Sequence, residues 1–175
     1  MSINNLLAVL PPPTTPNEVG AGKQWPMIEG MFFPSDYVEF INVYGSGRIA
    51  DFLVVFNPFS QNVDINFFDQ LRFVVGDFND LVVSDSDYCN CPRYPVENGL
   101  IPVGVTDNGD YIFWVVTSKQ NSDEWQVAII ASRSPEIEYF KDNLTSVLEG
   151  LLIGRLRSSS LPSSFASAGI RFDMI

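Results

Sequence analysis

The segment Phe33-Pro34-Ser35-Asp36-Tyr37-Val38-Glu39-Phe40-Ile41-Asn42-Val43-Tyr44-Gly45-Ser46-Gly47 constrains the fold more than any other stretch of this chain. Tyr37, Phe40, Ile41 and Tyr44 stand at i, i+3, i+4 and i+7, one apolar stripe at the period of an α-helix. Pro34 and Ser35 are helix-start signals, and Gly45 is a left-handed stop. The spacing predicts a helix over 35–44 that buries these four side chains. They need a sheet to pack against, and Phe113 and Val115, or their alternates on the same strand, are its candidate face.

Other elements follow from the same periodicities. Residues 3–10 read as a short amphipathic helix, and 11–22, with four prolines and two glycines, as an extended arm. Pro26 suits the first turn of a second helix. Asp51–Phe56 reads as a strand. Over 63–82, Phe67, Leu71, Val74, Val75, Phe78 and Val82 gather on one side at 100° per residue. Asp69, Arg72, Gly76 and Asp80 lie opposite, with Asp77 at the edge, so this stretch predicts a long amphipathic helix in which Gly76 costs about 1 kcal/mol. Residues 84–99 are an irregular connection. Asn108-Gly109-Asp110 is a tight turn feeding a strand over 111–117, and 125–131 reads as its antiparallel neighbour. Glu138-Tyr139-Phe140 adds a short strand. Leu144, Val147, Leu148, Leu151 and Leu152 mark a closing helix that ends by Gly154. Six serines in 158–169 give a loose tail.

The order of these pieces is more specific than any one of them. The opening helix is followed by Asp51-Phe52-Leu53 and Asn57-Pro58-Phe59-Ser60. Downstream come Gly99-Leu100-Ile101-Pro102-Val103-Gly104-Val105-Thr106-Asp107-Asn108-Gly109-Asp110-Tyr111-Ile112-Phe113-Trp114, then Asp123-Glu124-Trp125, then Leu148 through Leu156. In this order and spacing they resemble the SUKH superfamily over most of residues 20–157. That superfamily is a small domain named for yeast cell-wall regulators and common in bacterial toxin-immunity loci. The resemblance implies an α+β fold, one domain with a twisted, mostly antiparallel sheet and helices packed against it. The expected organisation is a short helix and Pro-rich arm over 1–22, the SUKH-like domain over 23–157 and a Ser-rich tail over 158–175.

With 175 residues, 46% of them hydrophobic, the chain can bury a core of its own. Its longest apolar runs fall far below the roughly 18 residues that span a bilayer. Ile3–Leu10 has no basic flank, which argues against a signal peptide. A cytoplasmic protein is expected. There is no histidine, which removes the commonest general base and the histidine-dependent triads. Cys89 and Cys91 are too few for a disulfide scaffold, too close for an unstrained bridge, and half of a zinc site. Asp85-Ser86-Asp87 starts like a calcium loop, but Cys89, Asn90 and Val96 stand where oxygen ligand, glycine and glutamate are required. Gly45-Ser46-Gly47-Arg48 lacks the lysine and hydroxyl of a phosphate loop. Asp107 and Asp110 flank a turn beside Trp114. They could be an acid–base pair, but Asp and Asn in such turns ordinarily bond their own backbone. No cofactor, no metal and no catalytic set are expected.

The formal net charge is −11, and its placement is uneven. Residues 61–124 hold eleven acids against three bases, whereas 125–175 hold five of each. Such a field repels nucleic acid and steers basic partners to the middle of the chain. The resemblance implies an immunity protein that binds one cognate toxin domain, often a nuclease. A basic nuclease site would accept an acidic protein as a decoy. The candidate contact residues are Asp69, Asp77, Asp80, Asp85, Asp87, Asp123 and Glu124. The alternatives are a regulatory or scaffold module of the same fold, as the yeast relatives suggest, and an enzyme using Asp107 and Asp110. Direct nucleic-acid or membrane binding is not expected, and oligomeric state is open.

Overall fold

The structure, a computed structural model, describes residues 3–84, 92, 94–132, 134, 136–163, 165, 166 and 169–175, with side chains along the long helix described as far as Gly76. Among the described residues, four α-helices pack around one seven-stranded antiparallel sheet: α1 (Asn4–Val9), α2 (Ser35–Tyr44), α3 (Phe67–Ser84) and α4 (Leu144–Leu152). The strands are β1 (Gly47–Ile49), β2 (Leu53–Val55), β3 (Leu100–Thr106), β4 (Tyr111–Val115), β5 (Gln126–Ile130), β6 (Ile137–Phe140) and β7 (Phe172–Met174). Their order across the sheet is β6-β5-β4-β3-β2-β1-β7. The fold is the α+β arrangement expected. No described helix is long and apolar enough to cross a membrane.

Alternation along β4 and β5 divides the core between the two sheet faces. Ile112, Trp114, Val116, Val127 and Ile129 join the large cluster that also holds Leu6, Leu10, Tyr37, Phe40, Ile41, Tyr44, Val147 and Leu148. Phe113, Val115, Ala128 and Ile130 face the other way, with Leu100 and with Val74 of α3. Helix α2 therefore buries its stripe as predicted, against the alternates of Phe113 and Val115. Two buried hydroxyls lock it: Tyr37 donates to the Phe56 carbonyl at 2.5 Å and Tyr44 to the Leu10 carbonyl at 2.6 Å. In α3, Phe67 and Val74 of the expected apolar side are buried, Leu71 and Val75 half-buried and Phe73 faces out; the side chains of Phe78 and Val82 lie outside the described residues.

Asn57 explains part of the motif that follows β2. Its amide donates to the Glu18 carbonyl and to Ser46 Oγ, and its side-chain oxygen accepts the Phe59 N–H. One fully buried side chain thus ties the Pro-rich arm to the turn between α2 and β1.

Four expectations change. No helix begins at Pro26. Ile28 and Met31 instead exchange both backbone hydrogen bonds at 2.9 Å across a two-residue turn, with Glu29 at φ 47 and Gly30 at φ 87. Two consecutive positive φ values define the turn that closes tight hairpins and forbid a helix. The strand expected over 51–56 shortens to β2 because Ala50 and Asp51 both turn with positive φ. Gly45 ends α2, but at φ 67 and ψ −142, a region open only to glycine rather than the left-handed helical one. Finally, Gly47-Arg48-Ile49 continues as a strand and Phe172–Met174 pairs with it at the sheet edge, so the chain's last residues join the same sheet.

Candidate functional site

The seven acids fall into three groups. Asp69 lies in the first turn of α3 and pairs with Arg72 on its own helix at 3.3 Å. Asp77 and Asp80 follow on the same helix, and their side chains lie outside the described residues, as do Asp85 and Asp87 altogether. Asp123 and Glu124 come together on a single 3-10 turn, Ser122–Glu124, and both are exposed.

That turn is rigid for local reasons. The Asn121 side chain accepts the Asp123 N–H and donates to Glu124 Oε1 at 3.0 Å. Thr117 Oγ1 donates to the Glu124 carbonyl, and the Trp125 indole N–H to the Ser118 carbonyl at 2.6 Å. Trp125 is buried, so the turn is pinned at its end to the core. Asp123 then reaches across to α2: its Oδ1 accepts the Ser35 N–H at 2.6 Å. Pro34 precedes the helix without a capping side chain, so Asp123 does that work from 88 residues away.

Behind this contact lies Asp36, a buried carboxylate that accepts the Thr145 N–H in the first turn of α4 at 2.9 Å. Burial raises its pKa. Hydrogen bonds from the Thr145 amide and hydroxyl pull back only part of that rise, and the nearby Asp123 charge adds to it. Asp36 and Asp123 thus join α2, α4 and the turn after β4.

Beside Asp123 runs an open groove of about 320 Å³, lined by Gly30 to Phe33, Ser35 and Lys119 to Asp123. Its other wall runs from Gly30 to Phe33, with Glu29 just before it in the chain, and ends at the buried Phe33. That ring lies 4.9 Å from Phe67, 5.3 Å from Tyr37 and 5.6 Å from Trp25. Phe33 is buried, whereas Phe32, the residue before it, points out and is 72% exposed. Glu29 Oε2 accepts the Tyr94 hydroxyl at 2.7 Å; burial first, then this bond to a carboxylate, raises the tyrosine pKa. Lys119 donates to the Pro95 carbonyl at 3.2 Å.

Of the seven acids expected from the sequence, Asp123 lines this groove and Glu124 adjoins it, whereas Glu29 and Phe32 were not among the candidates. An acid-glycine pair between Ile28 and Met31 is a turn signal and could have placed Glu29. The remaining acids near the sheet serve the fold. Arg48 forms ion pairs with Asp51 and Asp107. Asp110 is buried, accepting Thr106 Oγ1 at 2.8 Å and the Ser132 N–H at 3.0 Å. Asp107 and Asp110 are thus engaged in the turn, each with its own partner. Among the described residues no group of three or more potential ligands could hold a metal ion.

With the fold and this surface in view, comparison with known families matches one family model to this chain. The model SUKH_6, described as SMI1-KNR4 cell-wall, covers residues 29–148. The chain belongs to the SUKH superfamily. No curated protein and no solved structure matches it.

Proposed function

We propose that this chain is a non-enzymatic immunity protein that binds and neutralises a basic toxin domain, a nuclease by preference, in the cytoplasm of the cell that makes both. Membership of the SUKH superfamily is consistent with an interaction module of this kind. The observation that carries the toxin reading is the concentration of acid: eleven acids to three bases over residues 61–124. A nuclease cleft is basic because it holds phosphates, and an acidic protein can fill it. The lack of histidine and the fold-serving bonds of Asp107 and Asp110 support a role without catalysis. The cell-wall description of the matched family favours a second reading, a regulatory module that recruits a protein partner.

Co-expression with a toxic C-terminal domain drawn from the genes neighbouring this one tests the first reading. Wild type should protect the cells. A variant carrying Asp69→Lys, Asp77→Lys, Asp80→Lys, Asp123→Asn and Glu124→Lys should lose protection while still folding cooperatively. Association should slow markedly as salt rises, with dissociation changing less. Full protection by the variant, with equally fast binding at low salt, would refute the acidic-decoy mechanism.

A further inference from the structure

We propose that Phe32 and the groove beside it form a docking surface for a basic protein segment that sets an apolar side chain against Phe32 and arginine or lysine against Asp123 and Glu29. This deepens the interaction reading above and rests on it.

Phe32 is the most exposed large apolar side chain among the described residues, at 72%. Single exposed apolar residues are ordinary, and most stand on mobile or featureless surface. Phe32 differs in its support. It sits one residue beyond a turn closed by two reciprocal backbone hydrogen bonds, and its neighbour Phe33 is clamped among Trp25, Tyr37, Phe67, Phe68 and Trp114. An aromatic ring presented by a fixed backbone loses little entropy on binding, the property of interface anchors. The groove next to it offers room for a partner side chain.

Asp123 in the groove lining, and Glu124 and Glu29, each next in the chain to a lining residue, are held in the same way. Asp123 gives one oxygen to Ser35, Glu124 one to Asn121 and Glu29 one to Tyr94. Among the described residues no further donor reaches the second oxygen of any of them. A carboxylate oriented by one internal bond with its other oxygen free is preorganised for an incoming guanidinium or ammonium. Lys119, the one cation lining the groove among the described residues, is turned to the Pro95 carbonyl.

Charge selects among occupants. A second copy of this chain, itself at −11, would set these acids against their own equivalents across a twofold axis. Anionic lipid and nucleic acid are repelled for the same reason. A basic protein segment is attracted, and an apolar residue beside its cations would cover Phe32.

Selection from a random phage-displayed peptide library on the full chain tests the surface without a known partner. Recovered peptides should carry arginine or lysine next to an apolar residue. Phe32→Ala should weaken them about tenfold or more. The charge-neutral variant Glu29→Gln, Asp123→Asn, Glu124→Gln, which keeps each hydrogen-bond acceptor, should weaken them and flatten their salt dependence. Tyr139→Ala, removing another exposed ring 53% accessible on β6, should leave them unchanged. Both Phe32→Ala and Tyr139→Ala should melt with wild type. A library yielding no binder sensitive to Phe32, or only binders without a cation, overturns the proposal. So does a concentration-dependent dimer of wild type that Phe32→Ala abolishes in sedimentation. If such peptides are selected while the neighbouring toxin is not bound, the toxin reading fails and this surface stands.

Discussion

The carboxylates divide by whether they are tied inward or free to act outward, and Asp36 is the clearest of the first kind. It is buried, it joins α2 to the start of α4, and burial holds its pKa above the ordinary aspartate value of about 3.9. Between those two pKa values the folded chain keeps a proton that the unfolded chain releases. Asp36 therefore contributes most below the unfolded pKa, and that contribution is lost as pH rises through the folded one. Glu138 runs the other way. Burial pulls its pKa up, but hydrogen bonds from Ser159, Ser160 and Ser158 outweigh it and leave the pKa lowered, so its contribution is lost on acidification. Comparing wild type with Asp36→Asn cancels Glu138, which both proteins share. Urea midpoints measured from about pH 3 to about pH 7 should show wild type gaining on Asp36→Asn as pH falls through the raised pKa, with a constant difference above it. A difference that stays flat, or grows as pH rises, would show that Asp36 ionises as readily as in water.

Two glycines show how an element can depend on a residue or merely tolerate it. Gly45 ends α2 at a φ and ψ open only to glycine, and a β-carbon there would run into the Asn17 carbonyl of the arm. Gly76 sits exposed inside α3 with nothing within 4 Å of where a β-carbon would be. Gly45→Ala should therefore destabilise the fold by several kcal/mol, whereas Gly76→Ala should stabilise it by about 0.5–1 kcal/mol. Denaturant unfolding of both variants checks this, and the same sign for the two would contradict the assigned geometry. The helices were legible because each carries a stripe: Tyr37, Phe40, Ile41 and Tyr44 could not sit on one face of anything but a helix. Strands β4 and β5 were legible as apolar runs between turn residues, whereas β3 entered only through the stretch that carries the family resemblance. Strands β1 and β7 were not. Each is three residues long, and their pairing of Arg48 with Asp173 spans most of the chain, so no local period announces it. The hairpin at Ile28–Met31 was hidden by Pro26, whose helix-start signal was overridden by the positive φ at Glu29 and Gly30. Phe32 was hidden by Phe33, because two adjacent phenylalanines look alike in sequence and only the backbone decides which turns inward.

Across the whole molecule, acids outnumber bases 21 to 10, so eleven acids have no counter-charge however the ion pairs are arranged. The ion pairs described are mostly exposed, such as Arg72–Asp69 and Arg171–Asp173, and exposed pairs contribute at most about 1 kcal/mol each. Self-repulsion of the surplus opposes the compact state, and added salt screens it over roughly 10 Å at 0.1 M. Salt screens the local pairs as well, but those are shorter and fewer than the repulsions among the surplus. The melting temperature should therefore rise as sodium chloride goes from about 10 mM to about 200 mM, a range in which the Debye length shrinks severalfold. Over the same range the association rate with a basic partner should fall, because screening weakens attraction between molecules as it weakens repulsion within one. Calorimetry and stopped-flow mixing on the same samples read the two quantities. Opposite movement is the expected result. A melting temperature that falls with salt would mean that pairs such as Arg48 with Asp107 hold the fold more strongly than the acid surplus strains it. The acidity would then have to be explained by the fold rather than by what the fold binds.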